Sequence, residues 1–269
     1  MKRLFVLLQH LLPQHLLSRI VGAVANSQIT FLKNSFIRIF VRAFKVDINE
    51  AASSNLDDYP TFNTFFTRAL KPGIRPIEGR ICSPADGTVS MVGPIDGNQI
   101  IQAKGVSYSL EKLLAGRRNP DFENGSFITI YLSPKDYHRV HTPITGSMND
   151  SCYVPGDLFS VNQTTVLNVP DLFARNERLI TWFDTNVGPM ALIMVGAMIV
   201  AGIKSVWRDT TYPPRLSDVE TFADPVQFEQ GAELGHFEMG STVILLFQDR
   251  LDFRVKAGDT VKQGELLVA

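Results

Sequence analysis

From Arg80 onward the chain is written in short runs of β-branched and aliphatic residues, each closed within a few positions by Gly, Pro, Asn or Asp. Residues 88–92, 99–103, 126–132, 191–195, 198–203 and 242–247 are the clearest runs. They are too short for helices, and the breakers between them belong in turns, so the body is expected to be mainly β. A short helix is expected near residues 110–114. Upstream the pattern differs. The turn-rich joint Asp57-Asp58-Tyr59-Pro60 precedes a helical stretch over residues 61–70, with Phe62, Phe65, Phe66 and Leu70 on one face. Lys71-Pro72-Gly73 ends it.

Composition sets the limits. The chain has 269 residues, 45% of them hydrophobic, enough for one large domain or two small ones with a real core. Its 26 Lys and Arg against 27 Asp and Glu give a formal charge of -1, so wholesale nucleic-acid binding is not expected. Cys82 and Cys152 form no Cys-x-x-Cys pair; two reduced thiols are expected, without a zinc site. The tail, residues 255–267, has the hairpin pattern of lipoyl- or biotinyl-type barrels, and Pro84-Ala85-Asp86-Gly87-Thr88-Val89 looks like its counterpart earlier in the chain. No low-complexity segment or long repeat is evident.

Charge is unevenly spread. Before Asp47 there is no acidic residue, while Lys2, Arg3, Arg19, Lys33, Arg38, Arg42 and Lys45 are basic. The apolar run at residues 4–8 is broken by Gln9, His10, Pro13, His15 and Arg19, so neither a spanning helix nor a signal peptide is expected. Over residues 28–44, Phe31, Phe36, Phe40 and Phe44 recur at roughly helical spacing among cations, with Leu32, Ile37 and Ile39. The stripe alone fits either a membrane interface or packing on the protein's own core. The unbalanced positive charge favours the membrane.

Three features carry potential chemistry. His138 and His141 lie three residues apart without an obvious third ligand, which argues against a metal. Asp86 occupies an Asp-Gly turn, and Ser241 opens the apolar run 243–247. Taken together, Asp86, His141 and Ser241 offer the parts of an Asp-His-Ser relay. No Gly-x-Ser-x-Gly elbow accompanies them.

The residues around Ser241, Gly235-His236-Phe237-Glu238-Met239-Gly240-Ser241-Thr242-Val243, closely resemble the self-processing site of phosphatidylserine decarboxylases. Further blocks resemble that family in order: Phe62-Asn63-Thr64-Phe65-Phe66-Thr67-Arg68, residues 131–143, residues 154–162, and Phe173-Ala174-Arg175-Asn176-Glu177-Arg178. Met239 stands where the family more usually has leucine.

The resemblance implies cleavage between Gly240 and Ser241, with Ser241 becoming a covalent pyruvoyl group. His141 would serve as base for the cut, Asp86 would orient it, and His138 would support decarboxylation. Phosphatidylserine would then lose CO2 through a Schiff base with the pyruvoyl group to give phosphatidylethanolamine, a step in phospholipid biosynthesis. The expected fold is α+β: amphipathic N-terminal helices over residues 1–60, then a mainly β barrel or sandwich with lipoyl-like hairpins over 61–269. Self-cleavage would divide the chain into 1–240 (β chain) and 241–269 (α chain), which remain partners, with a homodimer of the αβ unit implied. The expected location is peripheral, on the cytoplasmic face of the cell membrane, against an anionic surface. Two rival readings predict different masses. A serine hydrolase would keep the chain whole, and a lipoyl-type carrier would bear a lysine adduct, although no Asp-Lys or Met-Lys-Met tip is evident.

Overall fold

A computed structural model describes residue 9 and residues 12–103, 105–117, 119–198, 202–212, 220–238 and 241–269. The apolar run at 4–8, residues 199–201 of the expected strand at 198–203, and Met239 and Gly240 of the expected cut site lie outside the described residues.

Two helices, α1 (Gln14–Ala25) and α2 (Thr30–Phe44), lie in the N-terminal part of the described residues, and a short third, α3 (Phe62–Phe66), follows. The third is a single capped turn rather than the ten-residue helix expected. Thr61 Oγ1 accepts from Thr64 N at 3.1 Å while Thr64 Oγ1 accepts from Thr61 N at 3.0 Å, a reciprocal cap that starts the turn. Sixteen strands follow among the described residues. In chain order they are β1 (Ile81–Cys82), β2 (Gly87–Pro94), β3 (Gln99–Ala103), β4 (Val106–Ser109), β5 (Ser126–Leu132), β6 (Arg139–His141), β7 (Gly146–Val154) and β8 (Arg178–Thr185). The second half comprises β9 (Gly188–Val195), β10 (Ile203–Ser205), β11 (Glu220–Phe222), β12 (Val226–Phe228), β13 (Glu233–Phe237), β14 (Ser241–Phe247), β15 (Thr260–Val261) and β16 (Leu266–Val268). The strand expected at 198–203 begins only at Ile203; Met198 lies in a turn.

The fold is α+β, and its body is an open, sandwich-like stack of antiparallel sheets, not a closed barrel. A nine-stranded sheet runs in the order β11-β7-β8-β9-β14-β5-β2-β15, with β12 also on β7. A three-stranded sheet, β10-β13-β6, is the second layer. Val140, Ile203, Leu234 and Phe237 from the small sheet share one core with Leu192, Met194, Val243 and Leu245 from the large one. The outer face of the large sheet packs Ile193, Ile244 and Leu246 against Leu110, Leu113, Phe122 and Phe173. Covered on both faces, β14 buries all seven residues, which explains its unbroken apolar run. The two lipoyl-like segments pair with each other, Thr260 opposite Thr88 and Val261 opposite Gly87.

The N-terminal helices form a third cluster. Ile37 and Phe40 of α2 pack on Phe62, Phe65 and Phe66. The aromatic stripe therefore divides: Phe40 is buried and Phe36 packs partly, whereas Phe31, Leu32, Ile39 and Phe44 face outward. Lys33, grouped above with the surface cations, is buried, and its ammonium donates to the carbonyls of Leu56 and Tyr59 at 3.1 and 2.6 Å. No described helix is long and apolar enough to cross a membrane.

Candidate active site

Asp86 lies in the turn between β1 and β2 and is almost completely buried. A buried carboxylate needs partners, and this one has three donors. Arg75 approaches in the forked geometry, Nε to Oδ1 at 3.1 Å and Nη2 to Oδ2 at 2.6 Å. Gln263 N donates to Oδ1 at 2.8 Å. Arg75 also reaches Glu50, and Lys262 grips Glu50 from the other side, so the network ties the N-terminal region to the C-terminal hairpin. The two cations hold the Glu50 carboxyl down to about 2 against the opposing effect of burial.

His141 ends β6, and its backbone N–H donates to Pro84 O at 2.8 Å, two residues from Asp86. Its ring is held at both nitrogens. Nδ1 lies 2.9 Å from Gly231 O, and since a carbonyl only accepts, Nδ1 carries the proton. Nε2 is then the acceptor, 3.1 Å from the Tyr137 hydroxyl. Burial lowers the His141 pKa below its ordinary value, opposed by the Gly231 bond and the charges of Glu233 and Asp86. The result is a neutral imidazole with a basic Nε2.

His138 is fully buried, with its ring 4.2 Å from that of Phe66. Its Nδ1 donates to Asp136 O at 2.8 Å, and Nε2 has no hydrogen-bond partner among the described residues. Burial pushes its pKa down to about 3, with Arg68 adding to the effect, so this imidazole too is neutral.

Ser241 is the first residue of β14, opposite Leu132 of β5, fully buried, and its Oγ has no hydrogen-bond partner among the described residues. Its place in the topology is unusual. Just upstream, β13 belongs to the small sheet, where Phe237 N donates to His138 O at 3.1 Å and Glu238 N to Gly202 O at 2.9 Å. At Ser241 the chain is already in the middle of the large sheet. Residues 131–141 bracket this crossing, pairing with the chain on both sides of it.

These segments lie together, but the relay is not wired through hydrogen bonds. Among the described residues, none joins Asp86 to His141 or Ser241 to either. Sequence reasoning singled out none of Arg75, Tyr137 and Gln263 as contacts of Asp86 and His141: Gln263 reaches Asp86 across 177 positions, while Tyr137, four residues before His141, carried no sign of its bond to that ring.

A family model described as phosphatidylserine decarboxylase matches residues 62–269, and a second, described as PSD, matches residues 4–45. The phosphatidylserine decarboxylase proenzyme of Ectopseudomonas mendocina is 50% identical, the alignment spanning 99% of this chain and 98% of that protein. That of Pseudomonas fluorescens is 50% identical over 98% of this chain and 96% of its own length. That of Alcanivorax borkumensis is 52% identical over 92% and 88%. Identity of this extent along both chains leaves one conclusion: the chain belongs to the phosphatidylserine decarboxylase family.

Proposed function

We propose that this enzyme matures by cutting itself between Gly240 and Ser241 and then decarboxylates phosphatidylserine to phosphatidylethanolamine with the keto group made from Ser241. The observation that carries the reading is the Ser241 hydroxyl, buried and without a hydrogen-bond partner among the described residues, at the point where the chain crosses between sheets. Ser241 Oγ adds to the Gly240 carbonyl as His141 Nε2 takes its proton, which requires the Tyr137 hydroxyl to give way. The carbonyl carbon passes from nitrogen to oxygen, leaving an ester. Elimination frees a chain ending at Gly240 and leaves dehydroalanine at 241; water then releases ammonia and leaves the pyruvoyl cap. In this account Asp86 acts on His141 through charge and through the shared Pro84–Asp86 segment, not through a direct bond.

The site fits such a cap. Among the described residues Ser241 Oγ and His138 Nε2 are buried polar atoms without hydrogen-bond partners, an arrangement costly in a finished core and reasonable in a site awaiting a reactant. The pyruvoyl ketone supplies an electrophile for the substrate amine and a sink for the electrons left by CO2. His138, held neutral, supports decarboxylation by accepting a hydrogen bond from the substrate amine at Nε2. After the cut, residues 241–269 stay in place because β14 is a central strand paired on both edges.

We also assign the outward apolar face of the helices to the membrane. Leu12, Leu16, Ile20 and Val24 recur every four residues at α1, and Phe31 and Ile39 of α2 are 84% and 65% exposed, close in sequence to exposed Arg19, Arg38, Arg42 and Lys45. That combination suits an anionic bilayer surface and a peripheral enzyme on the cytoplasmic face of the cell membrane. The family resemblance further implies two αβ units in a dimer.

Intact mass of the purified protein tests the cut. Two fragments, ending at Gly240 and beginning with a blocked residue 241, are expected, and Ser241→Ala should give one inactive chain. A Ser241→Ala protein that still released CO2 from phosphatidylserine would refute the assignment.

A further inference from the structure

Glu177 has no part in the chemistry above, yet it shares a row of the large sheet with Ser241. Val195 pairs with Arg178 on one side and Thr242 on the other. One step along, just past the ends of β8 and β9, Gly196 N donates to Glu177 O at 2.9 Å, and the Thr242–Val195 register carried one residue further sets Ser241 opposite Gly196. Residues directly opposite in an antiparallel sheet carry their side chains on the same face. That face is the inner one, toward the small sheet, because Leu179, Met194 and Val243, two residues along the same three strands, lie in the shared core.

The middle residue of the row is glycine, and Glu177 leans into the space it leaves. A Cβ on Gly196 would stand 2.8 Å from Glu177 Cγ and 3.0 Å from Oε1. The other carboxyl oxygen, Oε2, accepts from the Tyr153 hydroxyl at 3.0 Å, on the side away from Ser241. Oε1 has no hydrogen-bond partner among the described residues, and neither has Ser241 Oγ. Two buried, unpartnered side-chain oxygens thus stand on one face, separated by a residue without a side chain.

We infer that Glu177 is the base that completes the self-cleavage. This rests on the cut proposed above. Once Ser241 Oγ carries the Gly240 acyl group as an ester, the Glu177 carboxylate takes the proton from Cα of residue 241. The C–H electron pair becomes the Cα=Cβ bond, the Cβ–Oγ bond breaks, and Oγ leaves as part of the Gly240 carboxylate. Glu177 ends protonated and residue 241 ends as dehydroalanine. Burial pushes the Glu177 carboxyl up to about 7, with the Tyr153 bond pulling the other way, which suits a proton acceptor near neutral pH. On this side Tyr153 meets Glu177, Tyr212 stacks on Tyr153 at 4.8 Å, and the Arg208 guanidinium lies over the Tyr212 ring at 4.3 Å. Arg178 directs its guanidinium elsewhere, to the carbonyls of Leu113 and Lys112.

The test uses full-length precursor made by cell-free translation and followed on gels and by mass, with and without hydroxylamine, which opens esters but not amides. Glu177→Gln keeps the shape and can still pair with Tyr153. It is expected to split at least 100-fold more slowly than wild type and to accumulate full-length chain that hydroxylamine cuts at 240/241. His141→Ala, stopped before the ester, should resist hydroxylamine. Glu177→Asp should restore part of the splitting, at a rate that rises with pH. Wild-type splitting by Glu177→Gln, or accumulation of a hydroxylamine-resistant chain, overturns the role. If Glu177→Gln does not fold, Glu177→Asp decides alone: a rate independent of pH overturns it. A wild-type chain that never splits instead removes the underlying cut.

Discussion

Shortening Leu245 to alanine should weaken the mature protein in a different currency from its precursor. Leu245 lies midway along β14, fully buried, opposite Ile128 on β5 and Leu192 on β9. A buried Leu→Ala change costs about 2–5 kcal/mol through lost burial and the cavity left behind. In a Ser241→Ala background the chain is continuous, so the loss appears as reduced global stability. In protein cut as proposed, no peptide bond joins this strand to residues 1–240. Withdrawing it exposes the backbone edges of β5 and β9 together, so release of the small chain and opening of the sheet are one event. The same 2–5 kcal/mol then raises the dissociation constant between fragments about 30-fold to several thousand-fold. Size exclusion over a dilution series, with mass detection of the 241–269 fragment, reads this directly. The reasoning fails if the precursor loses stability while the cut variant holds its small chain as tightly as wild type.

Three further outcomes are expected. The His138 pKa falls from 6.5 to about 3 on folding, so below pH 6.5 the unfolded chain binds a proton that the folded one refuses. Stability from this source is complete above pH 6.5, declines as pH drops toward 3, and amounts to about 2 kcal/mol lost by pH 5. Urea midpoints at pH 7.5 and 5 should therefore differ more for wild type than for His138→Gln; equal differences would contradict the buried neutral ring. Phe31→Asp and Ile39→Asp, on the exposed face of α2, should leave melting unchanged and weaken binding to phosphatidylserine-containing vesicles about tenfold or more, each insertion being worth roughly 1.5–3 kcal/mol. Unaltered vesicle binding would take the membrane role from that face. Glu50→Gln removes a carboxylate held by Arg75 and Lys262 and should cost on the order of 1–3 kcal/mol at pH 7, an effect that largely fades as pH falls through 4.5 toward 2, where wild-type Glu50 is half protonated. A denaturant-midpoint difference that persisted undiminished at pH 2 would argue against the ion pair as its cause.

Much of the site was legible because its chemistry is concentrated in a few local words. Gly240-Ser241-Thr242 and the block holding His138 and His141 mark the residues proposed above to react, and Asp86 is marked by its turn. The strand at 126–132 was readable because nearest-neighbour pattern is sufficient when both faces of a strand are buried. The strands β6, β7, β8 and β13 were not. Their sequences mix His, Arg, Asp and Asn with apolar residues, and only pairing partners distant in the chain explain why they are extended. The helix expected over 61–70 stops at Phe66 because the Phe residues are used up in packing on α2, leaving Arg68 to reach Lys135 O.

The amino-acid order alone determined the class of the body, the unbalanced positive charge of the first 46 residues, and which serine and histidines to suspect, since each depends on composition or short-range spacing. Tertiary structure decided the rest. It buried Lys33, split the aromatic stripe between core and solvent, gave the Asp86 carboxylate to Arg75, and set Glu177 in one row with Ser241. The reason is physical: a buried charge or an unpaired oxygen acquires its meaning from what lies across the neighbouring strand, and strand register joins residues that sequence separates by dozens of positions.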